Sequence, residues 1–342
     1  MAKVTPISNR KSEHININLT KDVRSGLSNG LERFHFIHEA LPEINLADID
    51  TTLELFNRYL SAPILISSMT GGTPEAARIN QNLAKAAQAT KIALGLGSQR
   101  AAIDNPDLES TYKVRKYAPD ALLFANLGAI QLITHYSIDH CRRAIDMVEA
   151  DGLILHLNPL QEALQSNGDT NFAGLIDKIE SVCKALSVPV IVKEVGWGIS
   201  KNTALKLYNA GVQAIDVAGA GGTSWSQVEM YRAKDPNRAR LAASFIDWGI
   251  PTADSILEVK QILPEMTIFA SGGIRSGIEI AKCISLGATL GGMANPFLKA
   301  AAKSAEDVIQ EIANIINEIE ITMFVIGAIN LGHLKHARLN KI

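Results

Sequence analysis

A lysine ends a short apolar run in Val190-Ile191-Val192-Lys193-Glu194-Val195-Gly196. A lysine so placed suits a Schiff-base nucleophile or a fixed cation beside an anionic cofactor. Strand alternation sends Lys193 and Glu194 to opposite faces, which argues against their pairing. A second constellation, His156-Leu157-Asn158-Pro159-Leu160-Gln161-Glu162, ends another apolar run. His156 and Asn158 share a side, and Gln161 and Glu162 lie just beyond in the loop. One carboxylate among amide and imidazole neighbours suits Mg²⁺, which keeps several waters and bridges to substrate phosphates. Two glycine-rich turns, Ser271-Gly272-Gly273-Ile274-Arg275 and Gly291-Gly292-Met293-Ala294-Asn295, each follow an apolar run and precede a helix. Backbone N–H groups at such helix starts bind phosphate. Gly97-Ser98-Gln99-Arg100 and Ala125-Asn126-Leu127-Gly128 offer single polar groups. Arg10-Lys11 alone reads as a solvated basic pair.

These residues share a position in a repeating pattern. From Pro63 onward a short run of Val, Ile, Leu and Ala ends in small or polar residues, and an amphipathic stretch follows. Eight runs are centred near Leu65, Leu94, Leu123, Ile154, Val192, Ile215, Phe269 and Leu290. Runs this short and apolar on both faces predict buried parallel strands. Helices are expected over Glu75–Ala89, Ser137–Glu149, Ala173–Leu186, Ala204–Asn209 and Gly277–Ser285. Strands alternating with helices imply right-handed crossovers, and eight of them a closed (β/α)8 TIM barrel. A doubly wound sheet fits less well, because Ser68-Met69-Thr70-Gly71-Gly72 after the first strand is not GxGxxG. Residues 1–62 form an N-terminal arm expected to close over substrate, and residues 63–342 the barrel. Residues 223–250 are expected as a long loop. Glu306–Ile329 carries Ile309, Ile312, Ile316 and Ile319 at helical spacing and predicts a final core or subunit-contact helix.

Composition narrows the function classes. The 342 residues are 47% hydrophobic and 20% charged, and 33 basic residues nearly balance 35 acidic ones. That excludes a disordered chain and argues against general nucleic-acid or anionic-membrane binding. The uncharged run Cys283–Leu298 is too short for a membrane span and is broken by Gly, Asn295 and Pro296. Three dispersed cysteines without CxxC spacing, and a polar N-terminus, suggest a reduced, cytoplasmic protein.

The motifs together resemble the FMN-dependent, type 2 isopentenyl-diphosphate isomerases. The resemblance runs from Asn9-Arg10-Lys11 to Met293-Ala294. It rests on Ser68-Met69-Thr70-Gly71-Gly72, Gly97-Ser98-Gln99, Phe124-Ala125-Asn126-Leu127-Gly128, His156-Leu157-Asn158 with Gln161-Glu162, Val192-Lys193-Glu194-Val195-Gly196, Gly221-Gly222-Thr223 and Ser271-Gly272-Gly273. It implies interconversion of isopentenyl and dimethylallyl diphosphate with reduced FMN and Mg²⁺, NADPH serving to reduce the flavin. By position, Ser68, Met69, Thr70, Ser98, Asn126, Lys193 and Thr223 would hold the flavin. Gly272, Gly273, Arg275, Met293 and Ala294 would hold its phosphate. Arg10, Lys11, Ser98, Gln99, Arg100, His156, Asn158 and Gln161 would hold the substrate, and Glu162 the metal. His156, Gln161 and Lys193 are the expected catalytic residues. A homotetramer or homo-octamer is implied as well.

Three other readings have weaker support. A 2-hydroxy acid oxidase shares the barrel and phosphate turns, but its proton-abstracting His with a Gly pair and Arg has no counterpart in Gly221-Gly222-Thr223-Ser224-Trp225. A Schiff-base aldolase explains Lys193 but not the Arg-Lys arm. A non-catalytic barrel need not keep His156, Gln161, Glu162 and Lys193 together.

Overall fold

The computed structural model describes residues 6–342, without the side chains of residues 6–10 and 12. Its centre is a closed barrel of eight parallel strands in sequential order. They are β1 (Ile64–Ile66), β2 (Ala93–Gly95), β3 (Leu123–Gly128), β4 (Gly152–His156), β5 (Val190–Lys193), β6 (Ala214–Asp216), β7 (Thr267–Ser271) and β8 (Leu290–Met293). β8 pairs with β1 to close the ring, with Gly292 beside Leu65. Each strand matches one predicted run.

The strands are apolar on both faces because two cores claim them. Leu65, Ala93, Phe124, Ile154, Ile191, Ala214, Phe269 and Leu290 form an inner core. Ile64, Ile66, Leu94, Leu123, Leu153, Val190, Val192, Ile215 and Ile268 belong to the outer core under the helices. Adjacent positions therefore face opposite ways, as strand geometry requires. The next inward position on each strand lies two residues on, nearer the C-terminal end of the barrel. Those positions are Ser67, Gly95, Asn126, His156, Lys193, Asp216, Ser271 and Gly292. A layer of small or polar residues thus stands directly on an apolar one, and it positions the site.

Residues 6–62 divide between the two ends of the barrel. The helix Pro6–Thr20 lies at the C-terminal end of the barrel, where Lys11, His14, Ile15 and Asn18 face the central cavity. Further on, Leu53–Leu55 and Arg58–Leu60 form an antiparallel hairpin. Leu55 and Leu60 join the inner core from the opposite end. There Phe56 meets Phe124 and Phe269 edge-on at 6.2 and 6.4 Å between ring centres. Phe34–Phe36 pairs with Leu339–Lys341, tying the segment before the barrel to the C-terminal residues.

Residues 223–250 are not a plain loop. They contain the helices Trp225–Arg232 and Pro236–Ala243, the second started by Pro236 and capped by Asp235, whose carboxylate accepts from Asn237 N–H. The C-terminal helix spans Ala305–Val325 and buries Val308, Ile312, Ile315, Ile319 and Met323. It packs on the helices Pro74–Thr90 and Gly277–Ser285. At Gly277 a Cβ would stand 2.3 Å from the Ile315 carbonyl oxygen, so only glycine permits this approach.

Candidate active site

A cavity of about 960 Å³ opens above the polar layer. Ser68, Met69, Thr70, Ser98, Asn126, Lys193 and Thr223 line it, as do Gly272, Gly273, Arg275, Met293 and Ala294. Lys11, Arg100, His156, Asn158, Gln161 and Glu162 line it too. Arg10 lies outside the residues whose side chains are described. Gln99 stands apart from these residues. Its side chain is 0% exposed and does not line the cavity. It turns outward instead, donating to the Ala144 carbonyl at 2.8 Å and accepting from Asn126 N–H at 2.9 Å. Satisfying two buried backbone groups decides its direction.

The cavity has three chemically distinct parts. The first is a glycine-lined cradle at the ends of β7 and β8. Gly272 and Gly273 have φ of 106° and 74°. A Cβ on Gly272 would lie 2.1 Å from the Gly219 carbonyl oxygen. A side chain is excluded both by strain and by space, so backbone lines this wall. Ser276 caps the following helix, accepting from Glu279 N–H.

The second part is the polar floor. Lys193 Nζ lies 3.0 Å from Asp216 Oδ2 and donates to Ser271 Oγ at 2.9 Å. His156 Nδ1 lies 2.8 Å from Asn126 Oδ1. An amide oxygen only accepts, so Nδ1 carries the proton. Behind Lys193, Glu194 Oε2 accepts from three backbone N–H groups, Val195, Gly196 and Trp197, at 2.6, 2.7 and 2.6 Å. Burial nevertheless pushes its carboxyl up to about 7, outweighing those donors and Lys193.

The third part is a cationic and amide-rich wall. Arg100 lies 3.6 Å from both Asp104 and Asp169. Lys11 Nζ reaches across from the N-terminal helix to the Ser98 carbonyl at 2.6 Å and to the Tyr112 hydroxyl. The short helix Pro159–Leu164 carries Gln161 and Glu162. Glu162 accepts from Asn158 Nδ2 at 2.9 Å, from Asp169 N–H at 2.8 Å and from Gln165. Among the described residues no cluster of three or more His, Cys, Asp or Glu is placed to hold a metal ion.

Several side chains here had no motif to announce them. Glu229 accepts from Gln161 Nε2 at 3.2 Å and from Arg232 at 2.6 Å. Arg232 also holds Glu13 of the N-terminal helix at 3.1 Å. Burial raises the Glu229 carboxyl, but His14, Arg232 and Gln161 together hold it below the ordinary carboxylate value. Trp225 stands edge-on to His14 at 5.0 Å. Asp216 completes the set, marked in the sequence only by its place two residues beyond an inward apolar residue.

Residues 140–341 match the FMN-dependent dehydrogenase family. The chain is 54% identical over 330 residues to the isopentenyl-diphosphate delta-isomerase of Nostoc sp., covering 96% of this chain and 94% of that one. It is 53% identical to the enzyme of that name from Rickettsia bellii, with 96% of each chain covered. Among solved structures, the barrel resembles a mandelate oxidase bound to (S)-2-phenylpropionate at a TM-score of 0.68 and 16% identity, covering 97% of each chain. A putative lactate oxidase from Pediococcus acidilactici superimposes at a TM-score of 0.71 and 15% identity, covering 98% of this chain and 94% of that one. At such identities the likeness to the oxidases concerns the fold alone, whereas the likeness to the isomerases extends along almost the whole sequence. The chain belongs to the isopentenyl-diphosphate delta-isomerase family, on a barrel of the FMN-dependent dehydrogenase type.

Proposed function

We propose that this protein interconverts isopentenyl diphosphate and dimethylallyl diphosphate, with reduced FMN in the cavity, Mg²⁺ on the diphosphate and NADPH as the reductant of the flavin. The observation that carries the reading is the joint presence of a backbone-walled cradle and a separate cationic wall in one cavity. Two anionic groups can be held at once, one at each end.

The chain fits a flavin mononucleotide. The Gly272–Gly273 turn lines the cavity with backbone, because a Cβ on either residue would collide with the Gly219 or Gly221 backbone, and its N–H groups would suit a phosphate. Ser67 Oγ and Ser68 Oγ are buried without a hydrogen-bond partner among the described residues. Such atoms are costly unless a ligand satisfies them. When bound, reduced FMN supplies acid/base groups at the double bond, which the side chains around it do not obviously provide.

The remaining work falls to the protein. Arg100 and Lys11 would bind the diphosphate through charge-assisted hydrogen bonds. Asn158 Oδ1 is buried without a hydrogen-bond partner among the described residues, and such an acceptor suits a water bound beside the diphosphate. Glu162 would contribute one ligand to Mg²⁺, whose other ligands would be diphosphate oxygens and water. Lys193 presents an ammonium to the cavity floor, and His156 and Gln161 stand close by. The N-terminal helix covers the mouth with Ile15 and Asn18 and would exclude water from the reacting carbons.

The test is an anaerobic conversion assay. Protein, FMN, Mg²⁺ and a catalytic amount of NADPH are mixed with isopentenyl diphosphate, and products are read by NMR. Dimethylallyl diphosphate in large excess over NADPH supports the reading. A yellow, reducible protein without conversion overturns it and favours an oxidoreductase.

A further inference from the structure

The charge that Lys193 presents to the cavity is already matched. Beyond its 3.0 Å ion pair with Asp216 Oδ2, its neighbour Ser271 donates its own hydroxyl to Asp216 Oδ1 at 2.6 Å. The Ala218 N–H reaches the same oxygen at 3.3 Å. The backbone register builds this triangle, since Asp216 lies beside Lys193 on one side and Phe269 of β7 on the other. Lys193 and Ser271 line the cavity, whereas Asp216 stands behind them and is 0% exposed. Glu194 does not compete as counter-ion, because its accepting oxygen is turned to the backbone N–H groups of residues 195–197.

We infer that Asp216 is a positioning residue that neutralises and aims Lys193, so that a flavin in the cavity meets an oriented ion pair instead of a net positive charge. This inference rests on the flavin reading given above. Its physical basis is the dielectric. At a buried site a unit charge is poorly screened, so an uncompensated ammonium would act strongly on any anionic form of the cofactor. A carboxylate in contact cancels most of that field and leaves a dipole with the ammonium end toward the cavity. The pair also offsets part of the cost of keeping each ion out of water, a cost that is higher for either ion alone. Ser271 fixes the geometry by bonding both partners.

Removing the partners one at a time changes the local charge in opposite directions. Asp216→Asn leaves a lone cation, Lys193→Met leaves a lone buried anion, and the double variant is neutral like the wild type. The two-electron potential of bound FMN, measured by dithionite titration against a reference dye, reports the difference without any turnover. The expected result is a positive shift in Asp216→Asn and a negative one in Lys193→Met. Each corresponds to about a tenfold change in reduced-over-oxidised preference, about 30 mV. The double variant returns close to the wild-type potential. A wild-type potential in Asp216→Asn, or a double variant as negative as Lys193→Met, would overturn the inference. If Asp216→Asn does not fold by itself, the comparison of Lys193→Met with the neutral double variant decides it. A wild-type protein that binds no FMN refutes the flavin reading itself, whereas unequal charges with equal potentials refute only the role of Asp216.

Discussion

The two ends of the barrel are built from the same strands and do opposite things. At the N-terminal end, Phe56, Leu55 and Leu60 of the hairpin seal an apolar layer containing Phe124 and Phe269. At the C-terminal end, two residues further along each strand, the inward positions become Asn126, His156, Lys193, Asp216 and Ser271. The contrast teaches how a barrel separates stability from chemistry. The closed end excludes water and supplies packing. The open end tolerates buried charge only because each ion has a partner, and it leaves some polar atoms for a ligand.

Mutations should expose this division, and the largest effect belongs to the open end. Lys193→Met should lower turnover by about two to three orders of magnitude, with inorganic diphosphate binding nearly unchanged by calorimetry. Equal losses in both would place Lys193 in substrate binding. At the closed end, Phe124→Ala should cost about 3–5 kcal/mol of stability in urea unfolding. The fraction that remains folded should keep its kcat. A large fall in kcat there would show that the two ends are not separable.

Glu194 tests the boundary between them. Its folded value of about 7 lies above the ordinary 4.5 of a glutamate. The stability it contributes is therefore full below about pH 4.5 and is lost as the pH rises through 7. The loss amounts to about 2–3 kcal/mol. Glu194→Gln should flatten that slope in urea midpoints measured from pH 4.5 to 8, and an unchanged slope would assign the pH dependence elsewhere. The smallest effect belongs to the hairpin turn. Phe56 and Asn57 both have positive φ, 49° and 60°, the type I′ pattern that favours glycine at the second place. Asn57→Gly should raise stability by a few tenths of a kcal/mol, and a drop would mean that the Asn57 side chain contributes contacts of its own.

Much of this was legible from the residues. The eight strands were plain because burial on both faces leaves uninterrupted runs such as Val190-Ile191-Val192 and Leu153-Ile154-Leu155. The Gly272–Gly273 turn was plain as a turn, because positive φ and close backbone packing require glycine at both positions. Asp216 was not, since one acidic residue ending an apolar run has no motif, and its partner lies on the neighbouring strand. The direction of the Gln99 side chain was not legible, because it is set by the Ala144 carbonyl and Asn126 N–H, which only the fold brings near. The closing hairpin was hidden by its three-residue strands and a Phe-Asn turn without glycine. The helix Pro236–Ala243 did leave a signal, the Asp235-Pro236 start, within a segment read as loop.

The central claim is a redox-neutral double-bond shift at the open end of the barrel. Running the isomerisation in D₂O with a catalytic amount of NADPH, and reading the products by NMR, tests it most directly. The account predicts dimethylallyl diphosphate carrying solvent deuterium, in many-fold excess over NADPH consumed. Product formed one-for-one with NADPH, or product free of solvent deuterium, would contradict it.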